Sequence, residues 1–241
     1  MVSIVIVSHS QTLAEGVREL AEQMAQGPIA LATAAGIDDP ENPIGTDALK
    51  VQTAIESVYS ESGVVVLMDL GSALMSTEMA LEFLSPEQAA NVHLCAAPLV
   101  EGAVAAVVQA SVGADVVTVL REAEGALASK REQLGQPEEA ASAPVTSSGD
   151  YEVQKLDLVI SNNLGLHARP AARFVKAASG FKAEITVIKD ERTANAKSIN
   201  QVLLLNVRQG DSIHITAEGP DASAALSAIK TLAAENFGDT Q

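Results

Sequence analysis

Residues 134–150 divide the chain into two parts with different sequence patterns. This segment is rich in Pro, Ala, Ser and Glu and has no apolar periodicity, which is typical of an extended, mobile linker. The 241 residues of the chain leave room for two modest domains, since a domain commonly takes about 100 to 200 residues. The sequence therefore predicts a first domain over residues 1–133, a flexible linker over 134–151 and a second domain over 152–241.

The first part alternates apolar, strand-like runs with helical patterns. The runs cover residues 2–7, 29–34, 64–68 and 92–96, and the helical patterns begin near residues 12, 46, 73, 100 and 115. Nearly continuous apolar strands separated by helices are typical of a parallel sheet that is covered on both faces. We therefore predict an α/β fold with a parallel, doubly wound sheet.

Polar residues follow these strands at the edge where an open α/β sheet binds its ligands. Right-handed crossovers bring the carboxyl ends of parallel strands to one edge. His9 follows the first run, between Ser8 and Ser10, and Asp69 follows the third. A carboxylate beside one ring nitrogen would fix the tautomer and leave the other nitrogen free to attack phosphorus. The alternative is a histidine that is satisfied locally and an aspartate that caps the next helix.

The second part follows another pattern. Strand-like segments cover residues 153–160, 184–188, about 193, and 212–217, and helical patterns cover 168–178, 199–205 and 221–234. This order predicts an α+β domain, an open-faced β-sandwich with its helices on one side of an antiparallel sheet.

The run LGLHARPAA at residues 164–172 places a nucleophile at the start of a helix. Pro170 suits a first helical turn, so His167 falls near the N-cap. The N–H groups of that turn and the Arg169 guanidinium are suited to bind phosphoryl oxygens. Since imidazole is nucleophilic near neutral pH, His167 is a candidate to accept and release a phosphoryl group. The alternative is a surface histidine that happens to cap a helix.

Charge and composition narrow the choice of partners and compartment. The net charge of −16 argues against nucleic acid as a partner. Residues 1–152 hold 5 Lys and Arg against 22 Asp and Glu, whereas residues 153–241 hold 10 against 9. We therefore expect Arg169, Arg173 and Lys176 to face the acidic first domain when the two modules meet; alternatively, the acidic surface only maintains solubility.

The sequence predicts a cytoplasmic protein without a membrane span. No apolar stretch reaches the roughly 18 residues that a span needs, and no basic segment precedes the first apolar run. Cys95 is the single cysteine, which excludes a disulfide framework and favours a reducing compartment. No Cys/His cluster indicates a metal. His93 and His214 lie inside strand-like alternation and are interpreted as structural.

Residues 152–238 resemble HPr, the histidine phosphocarrier of the phosphoenolpyruvate-dependent phosphotransferase system, through the run around His167. The resemblance implies that His167 carries the phosphoryl group and that enzyme I supplies it. Ser198, in the run AKSI at 196–199, matches the position that a regulatory kinase phosphorylates in HPr proteins of some bacteria. It also matches an ordinary N-cap serine.

Residues 1 to about 133 resemble the mannose-type IIA domain of the phosphotransferase system, and more closely its version in the phosphotransferase subunit of phosphoenolpyruvate-dependent dihydroxyacetone kinase. The matching segments are IVSHS at 6–10, the loop at 36–47, MDLGSAL at 68–74 and CAAPLVEG at 95–102. The resemblance implies that His9 receives the phosphoryl group from His167 and passes it to ADP on a partner subunit, whose ATP phosphorylates dihydroxyacetone. Ser10, Gly71 and Ser72 are the candidate hydrogen-bond donors to a phosphoryl group on His9.

The same resemblance implies further partners and leaves two alternatives open. It implies the ADP-binding and substrate-binding kinase subunits as partners, a homodimer through the first domain and no cofactor bound by the chain itself. Because the sequence ends at Gln241, we expect enzyme I to be a separate protein. The alternatives are a IIA-HPr component of a sugar-transporting phosphotransferase system, and a regulatory module whose phosphorylation state is sensed by another protein.

Overall fold

The computed structural model describes residues 1–136, 151–163 and 165–238. It divides into two compact units, Met1–Leu127 and Ala128–Gln241. The predicted domain boundary at residue 133 remains a prediction. Most of the predicted linker, residues 137–150, lies outside the described residues.

The first unit contains a four-stranded parallel sheet between helices. Its strands are β1 (Ser3–Ser8), β2 (Leu31–Ala35), β3 (Val64–Met68) and β4 (Val92–Cys95), and its helices are α1 (Gln11–Met24), α2 (Ala48–Val58), α3 (Gly71–Glu82), α4 (Pro86–Ala89), α5 (Leu99–Ser111) and α6 (Val116–Glu124). The strand order is β2-β1-β3-β4. The predicted doubly wound fold is therefore confirmed. The short α4 was not predicted, because none of its residues is buried and a Ser85–Gln88 capping box, rather than an apolar period, begins it.

Alternate residues of the central strands serve two separate cores. Ile4 and Ile6 of β1 pack in the core formed with α1, α5 and α6, whereas Val5 and Val7 pack in the core formed with α2 and α3. This follows from the two-residue period of a strand. His9 continues the odd-numbered series, so its side chain lies on the α3 side of the sheet.

The second unit pairs an antiparallel sheet with helices. Its strands are β5 (Gln154–Val159), β6 (Glu184–Lys189), β7 (Arg192–Asn195) and β8 (Ser212–Glu218), and its helices are α7 (Ala128–Gln133), α8 (Ala168–Ser179), α9 (Ile199–Leu204) and α10 (Ala222–Ala234). The strand order is β5-β8-β6-β7. Buried Ile213 and Ile215 alternate with exposed His214 along β8, which confirms the predicted sheet with one covered face.

Among the described residues, no helix combines the length and the apolar character that crossing a membrane requires.

Candidate functional site

Parallel strand pairing brings His9 and Asp69 together. In the pairing of β1 with β3, Val7 lies opposite Met68, so the residues that follow these strands emerge side by side. His9 Nδ1 lies 2.8 Å from Asp69 Oδ1, and the two side chains are 19% and 11% exposed. The structure therefore forms the His-Asp pair that the sequence proposed, 60 residues apart in the chain.

The Asp69 carboxylate accepts two hydrogen bonds on each oxygen. Oδ1 accepts from His9 Nδ1 at 2.8 Å and from the Leu70 backbone N–H at 2.7 Å. Oδ2 accepts from the His9 backbone N–H at 2.8 Å and from the Ser8 hydroxyl at 2.9 Å. Burial raises the pKa of Asp69, but the hydrogen bonds from His9, Ser8 and Leu70 outweigh it and lower the pKa below its usual value. Asp69 is thus held as a carboxylate.

This arrangement sets the tautomer of His9. A carboxylate only accepts hydrogen bonds, so Nδ1 must carry the ring proton and Nε2 must carry the lone pair. The Ser72 hydroxyl lies 2.5 Å from Nε2 and is the donor of that bond. Nε2 is therefore the candidate nucleophilic atom of His9, and a phosphoryl group bonded to it would displace the Ser72 hydroxyl.

Nε2 faces the beginning of α3. Gly71 and Ser72 are the first residues of this helix, and the first N–H groups of a helix have no acceptor within it and favour an anion. A Cβ added to Gly71 would meet nothing within 4 Å, so the space beside this residue is open. Gly71 and Ser72 are thus placed where donors to a phosphoryl group on Nε2 are needed.

Ser10 and the loop at 36–47 serve the local structure around His9. Ser10 is the N-cap of α1 and accepts from the Leu13 N–H at 3.3 Å. Asp39 accepts from two N–H groups of its own turn, and Asp38 pairs with Lys50 at 2.6 Å. The Gly45 N–H donates to the His9 carbonyl at 3.0 Å. The role of Ser10 as a hydrogen-bond donor to the phosphoryl group remains a prediction.

His167 is the N-cap of α8 and has an extended backbone. The turn before it depends on Gly165, which has φ +69° and whose added Cβ would lie 2.0 Å from the Val207 carbonyl oxygen. The Leu166 N–H donates to the same carbonyl at 3.0 Å. Gly165 thus allows the His167 turn to pack directly against the chain that leads into β8.

One ring nitrogen of His167 is buried. Nε2 is buried within a half-buried side chain, so Nδ1 is the candidate atom for accepting a phosphoryl group. Arg169 is exposed in the first turn of the same helix, as predicted from the sequence. The start of α8 therefore combines a half-buried imidazole with a cation and helix N–H groups.

Arg173 makes a contact that the sequence did not predict. Its guanidinium donates to the Phe237 carbonyl at 2.7 Å, and a Cβ on Gly238 would lie 1.7 Å from the same nitrogen. Arg173 thus holds the last described turn of its own unit, and its part in docking the first domain remains a prediction. A hydrogen bond to a carbonyl 64 residues away leaves no signal in the local sequence.

Ser198 lies at the N-cap of α9. Its hydroxyl accepts from the Gln201 N–H at 3.2 Å, and the residue is 5% exposed. The capping role that the sequence allowed is present in the structure. Modification of Ser198 remains a prediction.

The structure also contains a second His-Asp pair. His214 Nδ1 lies 2.6 Å from Asp157 Oδ1 across β5 and β8, but these side chains are 60% and 79% exposed. The pair lies within strands, away from any helix start. It is a cross-strand surface contact, in line with the structural interpretation of His214; His93 likewise lies within β4.

Two family models match the chain. The PTS system fructose IIA component matches residues 3–120, and the PTS HPr component phosphorylation site matches residues 154–235. His9 and Asp69 fall inside the first match, and His167 and Ser198 fall inside the second.

Curated relatives match the chain as a whole and in parts. The chain is 52% identical over 243 residues to the PEP-dependent dihydroxyacetone kinase phosphoryl donor subunit DhaM of Escherichia coli (strain K12), covering 100% of this chain and 52% of that protein. It is 36% identical over 122 residues to the phosphoryl donor subunit DhaM of PEP-dependent dihydroxyacetone kinase 2 of Listeria innocua, covering 51% of this chain and 96% of that protein.

The second unit has relatives of its own. The chain is 43% identical over 76 residues to phosphocarrier protein HPr of Mycoplasma capricolum, covering 32% of this chain and 85% of that protein. Where a DhaM relative matches the whole of this chain, the chain spans about half the length of that relative.

Proposed function

The chain belongs to the family of phosphoryl donor subunits of PEP-dependent dihydroxyacetone kinase, and on that premise we propose that it carries a phosphoryl group from His167 to His9. His167 receives the group from enzyme I. His9 passes it to ADP held by a kinase subunit, and the resulting ATP phosphorylates dihydroxyacetone on the substrate-binding subunit. The observation that carries the proposal is the position of the His9 ring: Asp69 accepts a hydrogen bond from Nδ1, and Nε2 lies at the start of α3.

The transfer between the two histidines is an in-line displacement on phosphorus. The lone pair of His9 Nε2 forms the new P–N bond while the bond between phosphorus and Nδ1 of His167 breaks, and its electron pair returns to the His167 ring. His9 keeps its Nδ1 proton, so its ring becomes cationic when it is phosphorylated. The Asp69 carboxylate at 2.8 Å stabilises that charge, and the ring becomes neutral again when an ADP oxygen takes the phosphoryl group.

The proposed transfer uses no cofactor bound by this chain. The phosphoryl group originates from phosphoenolpyruvate, and the partner subunit holds the nucleotide. We also propose a cytoplasmic location, which is supported by Cys95: it is buried as a free thiol, and burial raises its pKa. A homodimer through the first unit is proposed from the family resemblance, and sedimentation velocity tests it.

Reconstitution tests the order of transfer. The full chain is incubated with enzyme I, phosphoenolpyruvate and the two kinase subunits, and dihydroxyacetone phosphate is measured. His9→Ala is expected to stop product formation, whereas His167→Ala is expected to stop it only until free HPr is added. His214→Ala is the matched control and keeps full activity, because its aspartate-paired ring lies on an exposed strand.

Two results would overturn the proposal. Product formation by His9→Ala would remove His9 from the path. Phosphorylation of His9 without transfer to the kinase subunits, but with transfer to a sugar-specific IIB protein, would support the sugar-transport alternative instead.

A further inference from the structure

Ser8 is a buried hydroxyl at the end of an apolar strand. It is the last residue of β1 and is 0% exposed. A hydroxyl that leaves water is unfavourable unless its hydrogen bonds are replaced within the protein. The other buried polar residue of β1, Ser3, lies at the opposite end of the strand and is 1% exposed.

The Ser8 hydroxyl makes one bond as an acceptor and one as a donor. The Ser10 backbone N–H donates to Ser8 Oγ at 3.1 Å. Because the Asp69 carboxylate only accepts, the Ser8 hydroxyl proton must point to Asp69 Oδ2, 2.9 Å away. The orientation of the hydroxyl is thus determined from both sides.

This bond matters because it is one of the four that fix the plane of the carboxylate, and the only one from a side chain to Oδ2 among the hydrogen bonds described above. The terminal torsion of an aspartate side chain is broad, so hydrogen bonds decide where its oxygens lie. Oδ2 has two donors, the His9 backbone N–H and the Ser8 hydroxyl. Without Ser8 one donor remains on that oxygen, and Oδ1 is less firmly held against His9 Nδ1.

We propose that Ser8 is a positioning residue for phosphoryl transfer at His9: its hydroxyl orients the Asp69 carboxylate, which in turn keeps the ring proton on Nδ1 and the lone pair on Nε2. This inference rests on the proposed function for its effect on transfer. Its structural part, the orientation of Asp69 and the tautomer of His9, can be measured on the unphosphorylated protein.

The test compares three variants of the full chain. Ser8→Ala removes the hydroxyl, Ser8→Thr keeps it, and Ser3→Ala makes the same deletion at the buried far end of the same strand. Two readouts need no phosphoryl donor: the ¹³C-detected titration of the Asp69 carboxyl, and the ¹⁵N chemical shifts that report the tautomer of His9. The third readout is the single-turnover rate of transfer to His9 from phosphorylated HPr.

In Ser8→Ala we expect the pKa of the Asp69 carboxyl to rise toward its usual value, since one of the bonds that lower it is lost. We also expect a measurable population of the Nε2–H tautomer and a transfer rate about tenfold lower. Ser8→Thr should restore all three properties, and Ser3→Ala should leave all three unchanged.

An Asp69 titration and a His9 tautomer in Ser8→Ala equal to those of the wild type would overturn the inference. Changes of the same size in Ser3→Ala would also overturn it, since they would reflect a general loss of packing. If wild-type His9 never accepts a phosphoryl group, the proposed function fails, and the two NMR readouts still decide whether Ser8 positions Asp69.

Discussion

The two candidate phosphohistidines present opposite ring nitrogens. In the first unit His9 is bonded through Nδ1 to Asp69, which leaves Nε2 at the start of α3. In the second unit Nε2 of His167 is buried, which leaves Nδ1 at the start of α8. Both sites place an imidazole at a helix N-terminus, but one adds a carboxylate that stabilises a cationic ring and the other adds Arg169.

In the proposed relay, the donor and the acceptor of the same group differ in design. A helix start supplies the anion-binding donors in both units, and the local charge differs with the task. An arginine favours the phosphoryl group itself, whereas an aspartate behind the ring favours the phosphorylated ring. The exposed His214–Asp157 pair has an even shorter contact, 2.6 Å, but both residues lie inside strands, so a His-Asp contact alone does not make such a site.

Gly165→Ala should break the second site with the largest effect on stability. The new Cβ would lie 2.0 Å from the Val207 carbonyl oxygen at a residue with φ +69°, so we expect a loss of about 2 to 4 kcal/mol in the free energy of unfolding. Phosphorylation of His167 should fall with it. The matched control is Gly180→Ala, where the nearest atom lies 3.6 Å away. Denaturant unfolding followed by circular dichroism compares the two, and equal losses would contradict the account.

Asp69→Asn should weaken the first site without affecting the second. The variant keeps the shape of the side chain but removes the charge that stabilises the phosphorylated ring, so we expect transfer to His9 to slow about a hundredfold. Phosphorylation of His167 should be unchanged. Asp157→Asn makes the same replacement in the exposed pair and should have no effect. Quench-flow experiments measure the rates at which His9 and His167 are phosphorylated. A wild-type rate at His9 in Asp69→Asn would contradict the role assigned to Asp69.

Arg169→Ala should affect only the second site, and by less. Losing one exposed cation beside the phosphoryl group is expected to slow phosphorylation of His167 by enzyme I about tenfold. Lys176→Ala removes a cation from the last turn of the same helix and should change the rate much less. The ratio of the His167 phosphorylation rates of the two variants, measured at one ionic strength, separates a local effect of Arg169 from a general effect of charge. A larger loss in Lys176→Ala would place the phosphate elsewhere.

Acid should destabilise the first unit through Asp69 to a small extent. Hydrogen bonds lower the pKa of the folded carboxyl, so its contribution to stability is present above the unfolded value of about 3.9 and is lost as the pH falls through the lowered folded pKa. Asp69→Asn should therefore flatten the decline in the free energy of unfolding between about pH 5 and about pH 2. Unfolding curves at several pH values test this, with Asp157→Asn as the control. An unchanged slope would show that the carboxylate bonds are not retained in solution.

The sequence pattern predicted the convergence of His9 and Asp69 because both follow buried parallel strands, and strand ends meet at one edge. It predicted His167 because Pro170 constrains where a helix can begin. It named Ser8 at the same edge but assigned it no role, since the bond to Asp69 depends on a side-chain rotamer and on pairing across 61 residues. A serine in an otherwise apolar strand was the available signal. The Arg173 contact with Phe237 was missed because it depends on a turn at the other end of the unit.

The most direct test of the account is to identify the phosphorylated ring atom in each unit. The full chain, labelled with ¹⁵N histidine and phosphorylated by enzyme I and phosphoenolpyruvate, is analysed by ³¹P and ¹⁵N NMR under alkaline conditions, with His9→Ala and His167→Ala for assignment. The account predicts phosphorus on Nε2 of His9 and on Nδ1 of His167. Phosphorus on Nδ1 of His9, or on neither ring, would contradict it.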